Sequence, residues 1–307
     1  MNQQFLSEVL EGLAKPQKSL SAKWLYDERG SELFEAITRT EDYYLTRTEA
    51  AVMEEVYQEL PEALGGRPAV AEFGSGAGIK SQRLIEALNP SAYVMIDVAE
   101  EFLRRSEDVL CERFPHVDVQ GVVGDFSGSV ELPASFQTAE HRMGFFPGST
   151  IGNFESGGAQ RFLERSRESF GPGSRFLIGA DLVKDEAVLL DAYDDSEGVT
   201  RQFTLNLLER MKREIGAELD IADFDALSLW NPQDARMELG VAALRDTVIT
   251  VDGRRFALEA GETIHTENSH KYTPSSFEKL AEKAGWKLDR LWTDEKDWFG
   301  VFLLRAG

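Results

Sequence analysis

The chain has 307 residues, enough for roughly two domains, and 42% of them are hydrophobic, so a large core is available. Its 33 Lys and Arg face 54 Asp and Glu, a formal net charge of −21. That balance argues against nucleic acid, whose phosphates need Lys and Arg, and against an anionic membrane surface. A single cysteine, Cys111, allows no internal disulfide and fits a reducing compartment.

The segment Met1 to Gln17 carries Glu8 and Glu11 and no long apolar run, so neither a secretory leader nor a membrane span is expected, and a cytoplasmic protein is. Phe5, Val9, Leu10 and Leu13 recur at helical spacing, and Pro16 closes that first helix. A second helix carries Leu33, Phe34 and Ile37, with Ser31 as its expected N-cap. The run Glu41 to Glu49 contains adjacent Tyr43 and Tyr44 and leads into a helix through Val52 to Leu60. One buried and one exposed ring is the plain reading of that tyrosine pair.

The stretch Ala69 to Lys80 organises the rest of the chain. An apolar run ends in Glu72; Gly74, Gly76 and Gly78 then alternate, and an amphipathic helix with Leu84, Ile85 and Leu88 begins. Glycines let the backbone take positive φ and let a ligand approach the main chain, and the helix N-terminus offers unpaired N–H groups. The dinucleotide fingerprint needs a third glycine at position 79, where this chain has Ile79, so an NAD-dependent oxidoreductase is the weaker reading.

Ala92 to Val98 reads as a buried parallel strand with Asp97 near its end, where an acid can accept from ribose hydroxyls. Cys111 falls in the amphipathic helix after that strand and is read as packing. Val117 to Val123 is a third strand leading to Asp125 and Phe126, a pair suited to an adenine amine and its ring face; helix capping is the plain alternative for Asp125. Arg142 to Phe146 is a fourth strand, running into Pro147 to Phe154, and Arg175 to Asp181 a fifth. Alternating strands and helices predict an α/β fold with a doubly wound, Rossmann-like parallel sheet.

The pattern then changes. Ala187 to Tyr193 and Arg201 to Ile215 read as helices. Met237 to Ala243, Asp246 to Val251 and Arg254 to Leu258 read as antiparallel strands turning at Asp252 and Gly253, and Ile264 to Tyr272 comes next. A helix from Ser275 to Ala284 and strands near Lys287–Thr293 and Trp298–Leu304 end the chain. A smaller α+β domain is therefore expected from 1–48 with 184–271, beside a larger one from 49–183 with 272–307, with the active site between them.

The turn Glu72–Lys80 resembles the first motif of class I S-adenosylmethionine (AdoMet) methyltransferases. Together with Lys23–Asp27 and Gly30–Phe34, Tyr43–Glu49, Pro147–Phe154, and Asp191–Thr200 with Thr266–Tyr272, it makes nearly the whole chain resemble the histidine-specific AdoMet-dependent methyltransferase family. The resemblance implies trimethylation of an amino acid α-amine with three AdoMet: histidine to hercynine, on the way to ergothioneine, or alternatively methylation of another amino acid such as tryptophan or a small amine. It implies AdoMet contacts from Gly74, Lys80, Asp97, Asp125 and Phe126. Asn153 and Tyr193 would hold the substrate carboxylate, Glu267 and Ser269 the imidazole, and Tyr26 and Tyr43 would stand at the reacting amine. Glu267 could instead pair with Lys271, and Ser269 could cap a turn.

Leu239 and Asn268 depart from the methionine and the apolar residue that the resemblance leads one to expect in the substrate pocket. No general-base histidine is expected, and the four histidines form no His-x-x-x-His pair, so no metal site is expected either. The expected partner is a free amino acid, L-histidine, with no nucleic acid and no membrane, bound by a monomer.

Overall fold

The computed structural model describes residues 2–75, 79–125, 128, 130–155 and 157–307. In chain order the first elements are α1 (Gln3–Leu13), β1 (Lys18–Ser19), a 3-10 turn (Ala22–Leu25), α2 (Glu28–Ile37), α3 (Tyr44–Leu64), β2 (Ala69–Phe73), α4 (Ile79–Leu88), β3 (Ala92–Asp97) and α5 (Glu100–Arg113). Next come β4 (Asp118–Val123), α6 (Ala134–Gln137), β5 (Arg142–Phe146), a 3-10 turn (Thr150–Asn153), α7 (Gly158–Phe170), β6 (Arg175–Asp181), α8 (Glu186–Tyr193) and α9 (Val199–Ile215). The chain ends with β7 (Phe224–Asn231), β8 (Arg236–Ala243), β9 (Thr247–Val251), β10 (Arg254–Leu258), β11 (Thr263–His270), α10 (Pro274–Lys283), β12 (Trp286–Thr293) and β13 (Phe299–Ala306). Among the described residues no helix is long and apolar enough to cross a membrane.

Two compact units divide the chain: Met1–Tyr44 with Lys184–His270, and Leu45–Val183 with Lys271–Gly307. The second unit is built on a seven-stranded sheet in the order β12-β13-β6-β5-β2-β3-β4. Strands β4, β3, β2, β5 and β6 are parallel, and β13 enters antiparallel between β6 and β12. The inner parallel strands β3, β2, β5 and β6 are buried along nearly their whole length because helices cover both faces of the sheet, whereas β4 at the edge is only partly buried. On β2, Ala69, Ala71 and Phe73 enter one core with Phe146, Phe162, Phe170 and Phe176; Val70 enters the other with Val56, Leu84, Tyr93 and Leu103. Strand order reverses between β2 and β5, and ligands bind beside such switch points at the C-terminal ends of the strands. Thr273 caps α10 in a reciprocal capping box, with a proline in its first turn.

The first unit holds a four-stranded sheet in the order β1-β11-β8-β7 and a separate β9–β10 hairpin. Arg210 on α9 donates to the Trp24 carbonyl at 2.9 Å, and its guanidinium lies over the Phe5 and Trp24 rings at 5.2 and 5.1 Å. That stacking joins α1, the first 3-10 turn and α9. The cap of α2 is Asp27 rather than Ser31: its Oδ1 accepts the Gly30 N–H at 2.8 Å, and the helix begins three residues earlier than Ser31. The amide of Asn206 and the guanidinium of Arg213 also donate to Asp27. Burial alone would raise its pKa, but the Gly30, Asn206 and Arg213 donors hold it below the ordinary carboxylate value.

Candidate active site

In the second unit, the C-terminal ends of β2, β3 and β4 lie side by side. Phe73 is registered against Ile96 and Asp97 against Val123, the Gly74 N–H donates to the Ile96 carbonyl at 2.8 Å, and the Gly124 N–H to that of Asp97 at 3.0 Å. Gly74, Asp97 and Asp125 therefore occupy one sheet edge. Gly74 has φ +69°, which permits the turn directly after the strand. Asp97 Oδ1 accepts the Ala99 N–H at 3.0 Å, which fixes its rotamer at the start of α5. Asp125 is exposed, and the next helix in the chain is α6 at Ala134, so it caps no described helix. Phe126, Gly76 and Gly78 lie outside the described residues.

Beneath the turn, Glu72 is buried and accepts from the hydroxyls of Ser81 and Tyr93, the latter at 2.8 Å. Desolvation outweighs those bonds and the pull of Lys80, and raises its pKa from 4.5 to about 7. The Ser75 hydroxyl is buried and has no hydrogen-bond partner among the described residues. A polar group left so at a turn is one a bound ligand would satisfy. Lys80, in the first turn of α4, pairs with buried Glu49 and keeps 39% of its side chain exposed.

The loop after β5 leaves the same edge. Ser149, at φ +58°, accepts the Asp181 N–H on its hydroxyl at 2.9 Å, and Thr150 donates its hydroxyl to the Pro147 carbonyl at 3.0 Å. These bonds hold the short 3-10 turn that ends at Asn153, whose side chain is exposed. Asp181 forms a 2.7 Å ion pair with Lys271 in which both side chains are fully buried. Lys271 is thus a partner of Asp181, and Glu267 lies on a strand, where the helical i, i+4 geometry does not arise.

In the first unit, five of the residues read from the sequence converge. Asp42 accepts from the Ser196 N–H and hydroxyl, both at 2.7 Å, and so ties the Tyr43 segment to the end of α8. The Tyr43 and Tyr193 rings then meet edge-on at 6.3 Å. The hydroxyls of Tyr193 and Ser269 share a 2.8 Å hydrogen bond. A register shift between His265 and Glu267 sets Glu267 opposite Leu239 and Ser269 opposite Met237, so these four share one face. Asn268 points the other way; it is buried, and its Oδ1 has no partner among the described residues.

Tyr26 packs edge-on against Phe34 at 5.6 Å and Phe203 at 5.3 Å, and Phe34 reaches the Tyr43 ring at 6.5 Å. The residue is 41% exposed overall, and the surrounding rings partly desolvate its hydroxyl. That desolvation, with smaller contributions from Glu267, Tyr43 and Tyr193, pushes its pKa well above the ordinary tyrosine value. Phe34 and Phe203 carry no reading from the sequence beyond packing, yet they stand 6.1 Å apart and link the Tyr26 ring to that of Tyr43. Tyr43 and Tyr44 are both buried, against the expectation of one exposed ring. Lys184 explains the second: it donates to the Tyr44 hydroxyl at 2.7 Å and lies 4.4 Å from the ring centre. Cys111, read as packing, is exposed.

A switch-point sheet with Gly74 at positive φ directly after β2, acids at the next two strand ends and an antiparallel closing strand has the fold of class I AdoMet-dependent methyltransferases. At the level of fold, a crystal structure of the PH0226 protein from Pyrococcus horikoshii OT3 matches with a TM-score of 0.51 and 13% identity, covering 92% of this chain and all of that one. A family described as histidine-specific methyltransferase, SAM-dependent, matches residues 5–306, and the chain belongs to it. Histidine N-alpha-methyltransferases of Mycolicibacterium smegmatis and Mycobacterium tuberculosis are 34% and 36% identical to it, each over 96% of this chain and 93% of the relative.

Proposed function

We propose that the protein methylates the α-amine of L-histidine with AdoMet as donor, through to the trimethylated betaine hercynine. The support is the meeting of Tyr26, Tyr43, Tyr193, Ser269 and Glu267 in one unit, together with the histidine in the relatives' names. Glu267 is the selective element, because a carboxylate accepts from an imidazole N–H while an indole or phenyl ring would call for an apolar wall. Ser269 stands two residues along the same strand face and adds a hydroxyl to the imidazole side. Tyr193, already bonded to Ser269, and Asn153 take the α-carboxylate.

When bound, the donor supplies an electrophilic methyl on a sulfonium, and transfer is an in-line displacement in which alignment is the enzyme's main task. Gly74, Lys80, Asp97, Asp125 and Phe126 are the residues assigned to hold it; the Ser75 hydroxyl, without a partner among the described residues, and the partly exposed Lys80 cation suit a ligand bearing hydroxyls and a carboxylate. The aromatic faces of Tyr26, Phe34, Tyr43 and Phe203 tolerate a cation that gains methyl groups. The test is mass spectrometry of reactions with AdoMet and histidine, and with a panel of other amino acids. A histidine product heavier by three methyl groups is expected. Turnover of tryptophan without turnover of histidine would reject the assignment.

A further inference from the structure

The seventh residue of the run from Tyr43 to Glu49 has no role in the site described above. Glu49 sits in the second turn of α3 and is 1% exposed. Its carboxylate does two things at once. Oε1 accepts the Gly148 N–H at 2.6 Å, at the start of the loop that ends at Asn153. Oε2 accepts from the Lys80 ammonium, in the first turn of the helix after the glycine turn. The central sheet makes room for this: a Cβ on Gly179 of β6 would lie 2.4 Å from Glu49 Oε1, so only glycine lets the carboxylate lie against the strand. The Lys80 ammonium in turn stands over Gly148, 3.4 Å from where a Cβ there would be. A buried carboxylate is costly unless charged and polar donors satisfy it, and here both donors belong to segments assigned to ligands.

We propose that Glu49 is a positioning residue for the methyl donor. The donor carries one anionic group, the carboxylate of its amino-acid end, and Lys80 is the cation in the first turn of α4 beside the glycine turn. Held by Glu49 at one N–H and partly exposed, Lys80 keeps donors for that carboxylate, and Glu49 fixes where they stand. Through Gly148 the same carboxylate fixes the start of the Asn153 loop. Donor grip and substrate loop therefore share one buried anchor. This rests on the AdoMet reading given above.

The experiment compares two nucleosides by calorimetry on the full chain: S-adenosylhomocysteine, which has the amino-acid end, and 5′-methylthioadenosine, which lacks it. Glu49→Gln, which misplaces the Lys80 contact without deleting it, should weaken S-adenosylhomocysteine about five- to tenfold, the scale of one ordinary hydrogen bond, and leave methylthioadenosine unchanged. Lys80→Met should show the same selective loss, and the double variant no further loss. Equal weakening of both nucleosides by Glu49→Gln would make Glu49 a general support of the fold and overturn the proposal. So would an unchanged affinity for S-adenosylhomocysteine. Should Glu49→Gln fail to fold, Glu49→Asp carries the same comparison, since a carboxylate one methylene shorter cannot reach both donors. A selective loss in Lys80→Met alone would keep the AdoMet reading and reject Glu49, whereas a native protein that binds neither nucleoside would reject both.

Discussion

Glu72 offers a test of the ground beneath the glycine turn. Its pKa is about 7 in the folded protein against an ordinary 4.5, chiefly because burial disfavours the charge more than Ser81 and Tyr93 favour it. Between those two values the folded chain binds more protons than the unfolded one, so this group's contribution to stability falls as pH rises through the window and is constant above it. The separation, about 2.5 on the pH scale, corresponds to roughly 3 kcal/mol at 1.36 kcal/mol for each tenfold change. Glu72→Gln removes the ionisation but keeps an oxygen for the two hydroxyls that donate to Glu72 Oε2. The amide has its own cost, so the measure is the change with pH of the stability difference between the two proteins, in which the other titrating groups largely cancel. Melting temperatures should draw apart in favour of the variant by several degrees between pH 5 and pH 8.5. A gap that stays the same over that range would mean that Glu72 titrates as an ordinary carboxylate and that burial does not control it.

Glu267→Ala should weaken histidine binding roughly ten- to a hundredfold, the loss of one buried charge-assisted hydrogen bond of about 1.5–3 kcal/mol, while leaving AdoMet affinity nearly unchanged; equal histidine affinities by calorimetry would remove Glu267 from the site. Asp97→Ala should do the reverse, lowering donor affinity about tenfold before any effect on histidine, as titration with S-adenosylhomocysteine would show. Lys271→Met leaves the Asp181 carboxylate buried without its ion pair and should destabilise the protein by about 3–5 kcal/mol, with much of the loss regained by adding Asp181→Asn. A single variant as stable as the native chain in denaturant titration would show that the pair carries no such weight.

The inner strands of the central sheet were legible because they are apolar on both faces and bounded by turn residues. Arg142–Phe146 and Arg175–Asp181 have the same ends in the structure as in the sequence pattern. Legibility fails where burial is partial. β7 shows only intermediate burial along most of its length, so Phe224–Asn231 presents neither a clean alternation nor an apolar run. Ser31 looks like a cap by residue type, but Asp27 takes the role because the chain folds back there onto Asn206 and Arg213, a long-range event that no local pattern records. The Tyr193–Ser269 bond spans 76 positions and depends on the bulge after His265, which no spacing rule foretells. Glu49 looks like any acid in a helix; only the glycine at 179, brought close by the sheet, shows that a carboxylate is accommodated there.

The raised pKa of Tyr26 bears on how the amine is made ready. A phenol held in its neutral form across working pH can orient an N–H or a lone pair but cannot accept a proton outright. Under the proposed function the substrate amine therefore has to enter neutral or shed its proton to solvent, and the side chains supply direction. Each methyl added removes one N–H, so the hydrogen bonds that Tyr26 and Tyr43 offer the nitrogen decline from the first transfer to the last. What persists is the attraction between a cation and aromatic faces, which is broad in direction and weak beside a charge-assisted bond. The same residues thus hold the first amine by direction and the last by polarisable surface, so grip weakens as the nitrogen runs out of hydrogens. That suits release of the betaine, while Glu267 and Ser269 continue to hold the ring, whose chemistry does not change.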